Sequence, residues 1–440
     1  MSTDGRRTIR RFDRTRTVMA TMVTPASVAG LRPSTGGGMI ARGAGLSYAD
    51  AGMVADGTVF DMRAMHRILA FDADSGFIDV EPGVTVGALQ TALTAQGRLY
   101  PVVPGYPAIT VGGCIGFNVH GKGQARDGTF GDWVERMAVW HPDHGVVECS
   151  RDVRRDLFDL TIGGLGLTGV IVRATLRTRA LKGDRVQQRW VYARSLREAA
   201  EVIRDEGVRV DHAYSWNDLN RRGARFGEGV VFLEDARDGD GSGLPRGYGD
   251  RLSGERRPSP LTPPDWVLRI EGLGFRLMHR YGGSGRELSL HDAMFPIVGK
   301  ELYFRQFGGG GFREYQTLIP WDGWPTFVAE IESTLVRLGA TASLGSLKVF
   351  RGAGHNLSFC GEGVGFTIDV PNDARSLPLF AAIDDIVLAC GGVVNLSKDS
   401  RVGANVVRRA FPAYDSFRSA VHAHDPARRF ASDLSHRIGL

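Results

Sequence analysis

Residues 164–169, GLGLTG, carry the G-x-G-x-x-G spacing of a dinucleotide-binding turn, but their surroundings are reversed. Such a turn needs a strand before it and a helix after it, so that a pyrophosphate meets a helix N-terminus. Here a helical run near 152–162 precedes, and the β-branched strand VIVRATLRT (170–178) follows. The motif therefore excludes a doubly wound nucleotide-binding fold rather than supporting one. With Gly at 59 of 440 positions, any other Gly-rich string counts only through its context.

That context divides the chain in two. The N-terminal third reads as short strands, MIAR (39–42), TVFDM (58–62), RILAFD (67–72) and GFIDVE (76–81), separated by Gly or Asp turns. Residues 86–96 predict a helix with Leu89 and Leu93 on one face and Thr85 as N-cap. A hairpin is expected over 134–150, across HPDHG. Beyond about residue 182 a strand–helix–strand pattern recurs at 188–216, 312–350 and 363–397, with Phe380, Ile383 and Val387 on one helical face. The fold class expected is α+β. Residues 234–263, rich in Gly, Pro, Asp and Arg, are expected to form a mobile loop. The following WVLRIEGLGFRLMHR (266–280) is either a buried segment with snorkelling Arg or a surface that touches lipid.

No run approaches the ~18 apolar residues of a spanning helix, and the basic first 17 residues lack the apolar stretch of a secretory signal. The expectation is a cytoplasmic protein, or one peripheral to the inner membrane. The net charge of +5 is carried almost wholly by Arg, 49 against five Lys. Lysines this scarce mark candidate positions for a compact, titratable ammonium. The six Arg within residues 6–16 read as a solvated tail, and no nucleic-acid motif accompanies them. The four Cys show neither disulfide nor metal-ligand spacing.

Three patches carry chemistry. ARGAGLSYAD (41–50) is either an anion-binding nest assisted by Arg42 or an ordinary tight turn. PGYPAITVGGCIGFNVHGKG (104–123) lacks side-chain bulk at 112, 113, 114 and 116, so a flat ligand can lie against the backbone, with His120 and Lys122 at its end. A Gly bulge with a solvated HGK turn is the alternative. VNLSKDSR (394–401) presents Lys398 and Asp399 after a strand, or a helix start capped by Ser397 or Asp399.

Together these segments resemble the FAD-dependent oxidoreductases of the vanillyl-alcohol-oxidase superfamily. ARGAGLSYAD is similar to its pyrophosphate loop, PGYPAITVGGCIGFNVHGKG to the segment along the flavin, and GGLGLTGVIVRATL to the strand closing the FAD site. Within it, HGK (120–122), YQTLIP (315–320), LKVF (347–350), TIDVP (367–371), LSKDSR (396–401) and DPARRFASDLSHRIGL (425–440) resemble the decaprenylphosphoryl-β-D-ribose 2′-oxidase family. The resemblance implies a two-domain fold, with an FAD-binding domain at 1–181 plus 393–440 and an inserted antiparallel-sheet-and-helix substrate domain at 182–392. It implies FAD contacts from Arg42, Gly43, Ala44, Gly45, Leu46, Ser47, Tyr48, Gly105, Thr110, Gly112, Gly113, Asn118, Val119 and His120, with Gly169 and Ile171 closing the site. Around the sugar it implies Lys122, Gln316, Lys348, Thr367, Asn395 and Trp216, with Lys398 and His120 as catalytic candidates.

What it implies of activity is oxidation of a lipid-linked ribofuranose at C2′, completed to the arabinose form by a short-chain NAD(P)H-dependent reductase, with peripheral membrane contact and no nucleic acid. A sugar-alcohol or aldonolactone oxidase on a soluble substrate is the alternative, and a non-enzymatic basic binding protein a remoter one. Leu46 stands where covalent-flavin members often carry His, so non-covalent FAD is expected. Thr367 and Asn395 replace the Cys and Tyr usual in the 2′-oxidase family, HGKGQA its HGKNHH, and Glu314 a Gln near the sugar.

Overall fold

The computed structural model describes residues 5–13, 15–34, 36–245, 265–266, 273–274, 277–278, 284–299, 307 and 310–440. Strands β1 (Gly5–Arg10), β2 (Thr17–Val23), β3 (Met39–Arg42) and β4 (Thr58–Asp61) form a mixed sheet in the order β1-β2-β4-β3. The strands β5 (Ile68–Asp72), β6 (Phe77–Val80), β8 (Val134–His141), β9 (Gly145–Ser150) and β10 (Val170–Arg177) form an antiparallel sheet in the order β5-β6-β10-β8-β9. A short ribbon of β7 (Arg98–Leu99) and β11 (Arg179–Ala180) lies beside them. The helix Val86–Thr94 starts where its sequence predicts, because the Thr85 hydroxyl accepts the Ala88 N–H at 3.2 Å and Leu89 and Leu93 are fully buried.

The rest of the chain builds one eight-stranded antiparallel sheet from β12 (Arg185–Ala193), β13 (His212–Asp218), β14 (Glu228–Arg237), β15 (Gly285–Ser289), β16 (Phe312–Ile319), β17 (Leu344–Phe350), β18 (Gly363–Pro371) and β19 (Val393–Val394). Their order is β15-β12-β14-β13-β17-β18-β16-β19. All three expected strand–helix–strand units are present. Their helices, Leu196–Glu206, Trp324–Arg337 and Ser376–Ala389, cover one face and share a core with Leu347, Val349, Phe366 and Ile368. Because side chains alternate along a strand, the intervening positions Ser346, Lys348, Gln316 and Thr367 look the other way. That second face receives the segment 120–124: Gln124 exchanges hydrogen bonds with the Arg351 backbone at 3.0 and 2.8 Å, and Ala213 N–H donates to the Lys122 carbonyl.

Two expectations are corrected. The Arg-rich start is a hairpin, not a solvated tail. Ile9, Val18 and Ala20 are buried, β2 pairs in parallel with β4, and Arg11 is itself buried between Asp13 and Asp50, each at 2.7 Å. The start of the loop expected from residue 234 is strand instead, since Glu234–Arg237 closes β14 and Glu234 is fully buried. Residues 246–263 of that loop lie outside the described residues, as does most of 266–280. Among the described residues no helix is long and apolar enough to cross a membrane.

Candidate active site

The loop after β3 is shaped by small residues and one cation. A Cβ on Gly43 would stand 2.0 Å from the Thr110 hydroxyl, and Gly45 takes a left-handed φ of +70° with the Arg42 guanidinium folded against it. Arg42 donates to the carbonyls of Gly52 at 3.1 Å and Arg10 at 3.3 Å. No carboxylate ion-pairs with it among the described residues, and burial brings its pKa down to about 10. A desolvated cation with no carboxylate in contact suits an anionic ligand. Opposite, Thr110 caps the helix Val111–Phe117, and Asn118 ends it at φ +48° while accepting the Gly131 N–H at 2.8 Å. The low-bulk stretch against which a flat ligand was expected to lie contains a short helix with a tight stop. Among the described residues a Cβ on Gly113 would meet the Thr110 hydroxyl at 3.2 Å, and one on Gly105 the edge of Pro296 at 4.0 Å.

Gly169 sits at φ +133° with the Trp140 carbonyl 2.5 Å from where a Cβ would be, which explains the third Gly of GLGLTG by strand packing. Leu165 N–H donates to Gly116, tying that turn to the helix. Ile171 and Val119 pack into the core behind it, so their side chains shape the wall. Ala44 and Leu46 are half-buried in the loop.

The turn 395–401 locks onto the Arg42 loop. Ser47 Oγ and Tyr48 N–H both donate to the Ser397 carbonyl, at 2.9 and 3.0 Å. Tyr48 stacks on Phe12 at 5.1 Å, and the Lys398 ammonium lies 4.2 Å from its ring centre, paired with Glu314 at 3.2 Å. Asn395 Nδ2 donates to Gln316 Oε1 at 2.5 Å, and Gln316 lies in hydrogen-bond reach of His120. His120 is flanked by Phe350 and Phe359, its ring centre 4.8 and 5.6 Å from theirs. Burial, then the charges of Lys348 and Lys398, lowers its pKa to about 3, so the ring is neutral.

Lys348 is the unpaired cation of the cleft: among the described residues it makes no ion pair. Burial and then Lys398 bring its ammonium down to about 8. Thr367 faces Gln316 across β16–β18 and Ser346 across β17–β18, at the centre of the same wall. Trp216 lies farther along, in an aromatic group with Phe232 and Tyr214.

Lys122, expected near the sugar, is held in a buried charge cluster. Its ammonium donates to Glu234 at 2.9 Å and to the Ala293 carbonyl, and covers the Tyr214 ring. Glu234 also accepts from Gln188 at 2.7 Å and Tyr214 at 3.2 Å, with His212 at 3.0 Å. Although burial alone would raise it, Lys122 and His212 hold this carboxyl at about 2. Sequence reasoning missed Glu234. Its signal was phase: Val230, Phe232 and Glu234 alternate with Val231 and Leu233, a strand pattern that runs into the stretch from 234 judged by composition.

The FAD that the sequence resemblance implies fits these residues: a pinched Gly43–Gly45 loop, a half-buried Arg42 with no carboxylate paired to it among the described residues, and a polar group that includes His120, Lys348 and Lys398. A family model described as an FAD binding domain matches residues 28–150. Over 422 residues the chain is 29% identical to the decaprenylphosphoryl-beta-D-ribose oxidase of Mycolicibacterium smegmatis, covering 92% of this chain and 90% of that one. It is 30% identical over 375 residues to an uncharacterised protein of Streptomyces coelicolor, covering 81% of this chain and 100% of that one. A shorter match, 30% over 122 residues and 28% of each chain, is to the L-gulonolactone oxidase of Mus musculus. The FAD binding domain match and the similarity over most of the chain to an oxidase lead to one conclusion: the chain belongs to the FAD-binding oxidase family and is an FAD-dependent oxidoreductase.

Proposed function

We propose that the protein oxidises the 2′-hydroxyl of a polyprenyl-phosphoryl-β-D-ribofuranose to the 2′-keto sugar, the first half of an epimerisation to the arabinose form. The observation that carries this reading is Lys348, an ammonium without an ion pair among the described residues and with a pKa of about 8, on the sheet face it shares with Gln316 and near His120. Bound FAD supplies the acceptor for the hydrogen leaving C2′ as hydride. Lys348, in its neutral fraction, accepts the hydroxyl proton. Gln316 and His120 orient the sugar through hydrogen bonds. Lys398, beside Tyr48 and the Arg42 loop, holds negative charge on the cofactor side. The product ketone then needs a hydride donor of the NAD(P)H-dependent reductase class.

A lipid-linked substrate also gives a role to Trp266, Leu273 and Leu277, which are exposed while Met278 packs on Tyr214 and Phe232. Replacing the three exposed residues by Ser is expected to abolish flotation with anionic liposomes; unchanged flotation removes the membrane role. The central test is anaerobic mixing of the purified flavoprotein with a polyprenyl-phosphoryl ribose. Bleaching of an acid-releasable flavin is expected. A flavin that stays oxidised there but bleaches with free polyols or lactones would replace this substrate with a soluble one.

A further inference from the structure

Strand β16 and the turn after β19 bring opposite charges into contact. Along β16, Tyr315 turns into the core beneath the sheet, so its neighbours Glu314 and Gln316 face the cleft. The turn runs beside them in step: Asn395 N–H donates to the Gln316 carbonyl at 2.9 Å, and Arg313 Nη1 to Ser400 Oγ at 3.0 Å. Between those two ties, Lys398 Nζ reaches both oxygens of Glu314, at 3.2 and 3.5 Å. The Glu314 side chain is only 10% exposed, and across the ladder it stands opposite Asp369, another buried carboxylate. Like charges in register on one sheet face are destabilising. A glutamine of the same shape would avoid that repulsion, so the carboxylate at 314 depends on the Lys398 ammonium to offset it.

The same pairing divides the two lysines of the wall. Glu314 keeps the Lys398 ammonium 4.2 Å from the centre of the Tyr48 ring, beside the Arg42 loop. Lys348 shares the sheet face of Gln316 and has no ion pair among the described residues. The charges that act on it are Lys398, Glu314 and Lys122, and Lys122 is already bound to Glu234. His120, close by, is neutral.

We infer that Glu314 is a positioning residue that assigns different work to the two lysines, pinning Lys398 as a cation beside the cofactor loop and leaving Lys348 free to exchange a proton with the alcohol. The link to catalysis rests on the proposed sugar oxidation; the effect of Glu314 on the lysines does not.

Two variants separate charge from shape. Glu314→Gln keeps the shape and, by relieving the repulsion with Asp369, keeps the fold; Glu314→Asp keeps the charge. The lysines report directly. Because the chain has five, ε-13C-lysine labelling of the holoenzyme gives a spectrum in which Lys348 and Lys398 are assigned from Lys348→Arg and Lys398→Arg. Glu314→Gln should lower the pH at which Lys398 titrates by ~1 pH unit or more, because an opposite charge in contact is lost. Glu314→Asp should restore most of it. The kcat/KM profile, which reports the coupled lysines together, should move to lower pH in Glu314→Gln. Its kcat should lie ~10-fold or more below that of Glu314→Asp, since the displaced ammonium no longer meets the reacting groups in register. A packing role predicts the reverse order, with the shortened aspartate the poorer enzyme. That reverse order, or an unmoved Lys398 titration in Glu314→Gln, overturns the inference. A native flavin left oxidised by the lipid-linked ribose, with the Lys398 shift still seen, counts against the proposed reaction and supports the pairing.

Discussion

Lys348 shows how one side chain can carry both a functional and a stability signature. Its pKa of about 8 lies below the ordinary 10.5 because burial and then Lys398 disfavour the charged form. The folded state therefore binds this proton less readily than the unfolded chain. The cost is fully present below pH 8 and is relieved as pH rises from 8 toward 10.5. Lys348→Met should raise Tm at pH 7 by ~2–4 °C, with the gain fading across that window in thermal melts. In catalysis the sign is opposite. The kcat/KM of the native enzyme should rise with pH around 8, and Lys348→Arg, permanently charged, should lose that limb and ~10²–10⁴ in rate. A native profile flat between pH 7 and 9 would remove Lys348 as proton acceptor. At Gly43 the argument is steric. An added methyl would overlap the Thr110 hydroxyl, a group fixed as a helix cap, so the loop must move. Gly43→Ala should purify with less than ~10% of the native flavin while keeping its fold, read from the visible spectrum against circular dichroism.

At the scale of elements, β14 marks the limit of what the sequence made legible. The helix from Val86, the hairpin β8–β9 and the three strand–helix–strand units were readable because their signals are local: a capping Thr, a Gly turn, apolar residues at period 3.6 or 2. Arg42, Gly43 and Lys348 were likewise marked by motif and by the scarcity of Lys. Glu234 was not, because the Gly- and Asp-rich residues after it dominate the composition of the segment. Nor could local pattern show that Lys122 is bound to a strand more than a hundred residues away. The pairing is made by β14 lying between β12 and β13, which brings Gln188, His212 and Glu234 into one row. Removing the carboxylate leaves an ammonium buried without a partner, a change that typically costs ~3–5 kcal/mol. Glu234→Gln should therefore lower Tm and weaken substrate binding more than turnover. If KM and Tm both match the native values, the Lys122–Glu234 pair has no structural weight.

At the scale of the whole molecule, charge joins parts of the chain that share no secondary structure. Arg11 of the N-terminal hairpin binds Asp50; Asp50 lies 3.5 Å from Arg437 of the C-terminal helix; and Arg437 reaches Asp399 at 3.6 Å. Asp399 also accepts the Arg401 N–H at 2.7 Å, and Arg401 pairs at 2.5 Å with Asp384 on the helix Ser376–Ala389 beneath the large sheet. Asp384 in turn accepts the Tyr315 hydroxyl at 2.7 Å. Asp399 is the hinge of this network, buried directly after Lys398, and its carboxylate closes the turn that aims that lysine at Tyr48. Its neutralisation leaves two guanidinium groups short of an acceptor and loosens the turn at once. Asp399→Asn should lower Tm by several degrees and slow flavin reduction, with FAD retained because Arg42 and Gly43 are untouched. Buried pairs are poorly screened, so ~0.5 M NaCl should leave the native Tm almost unchanged and should not reproduce the defect. A native protein that loses as much stability in salt as the variant loses by mutation would show the network to be a surface effect, and Lys398 would then have to be held by Glu314 and the Tyr48 ring alone.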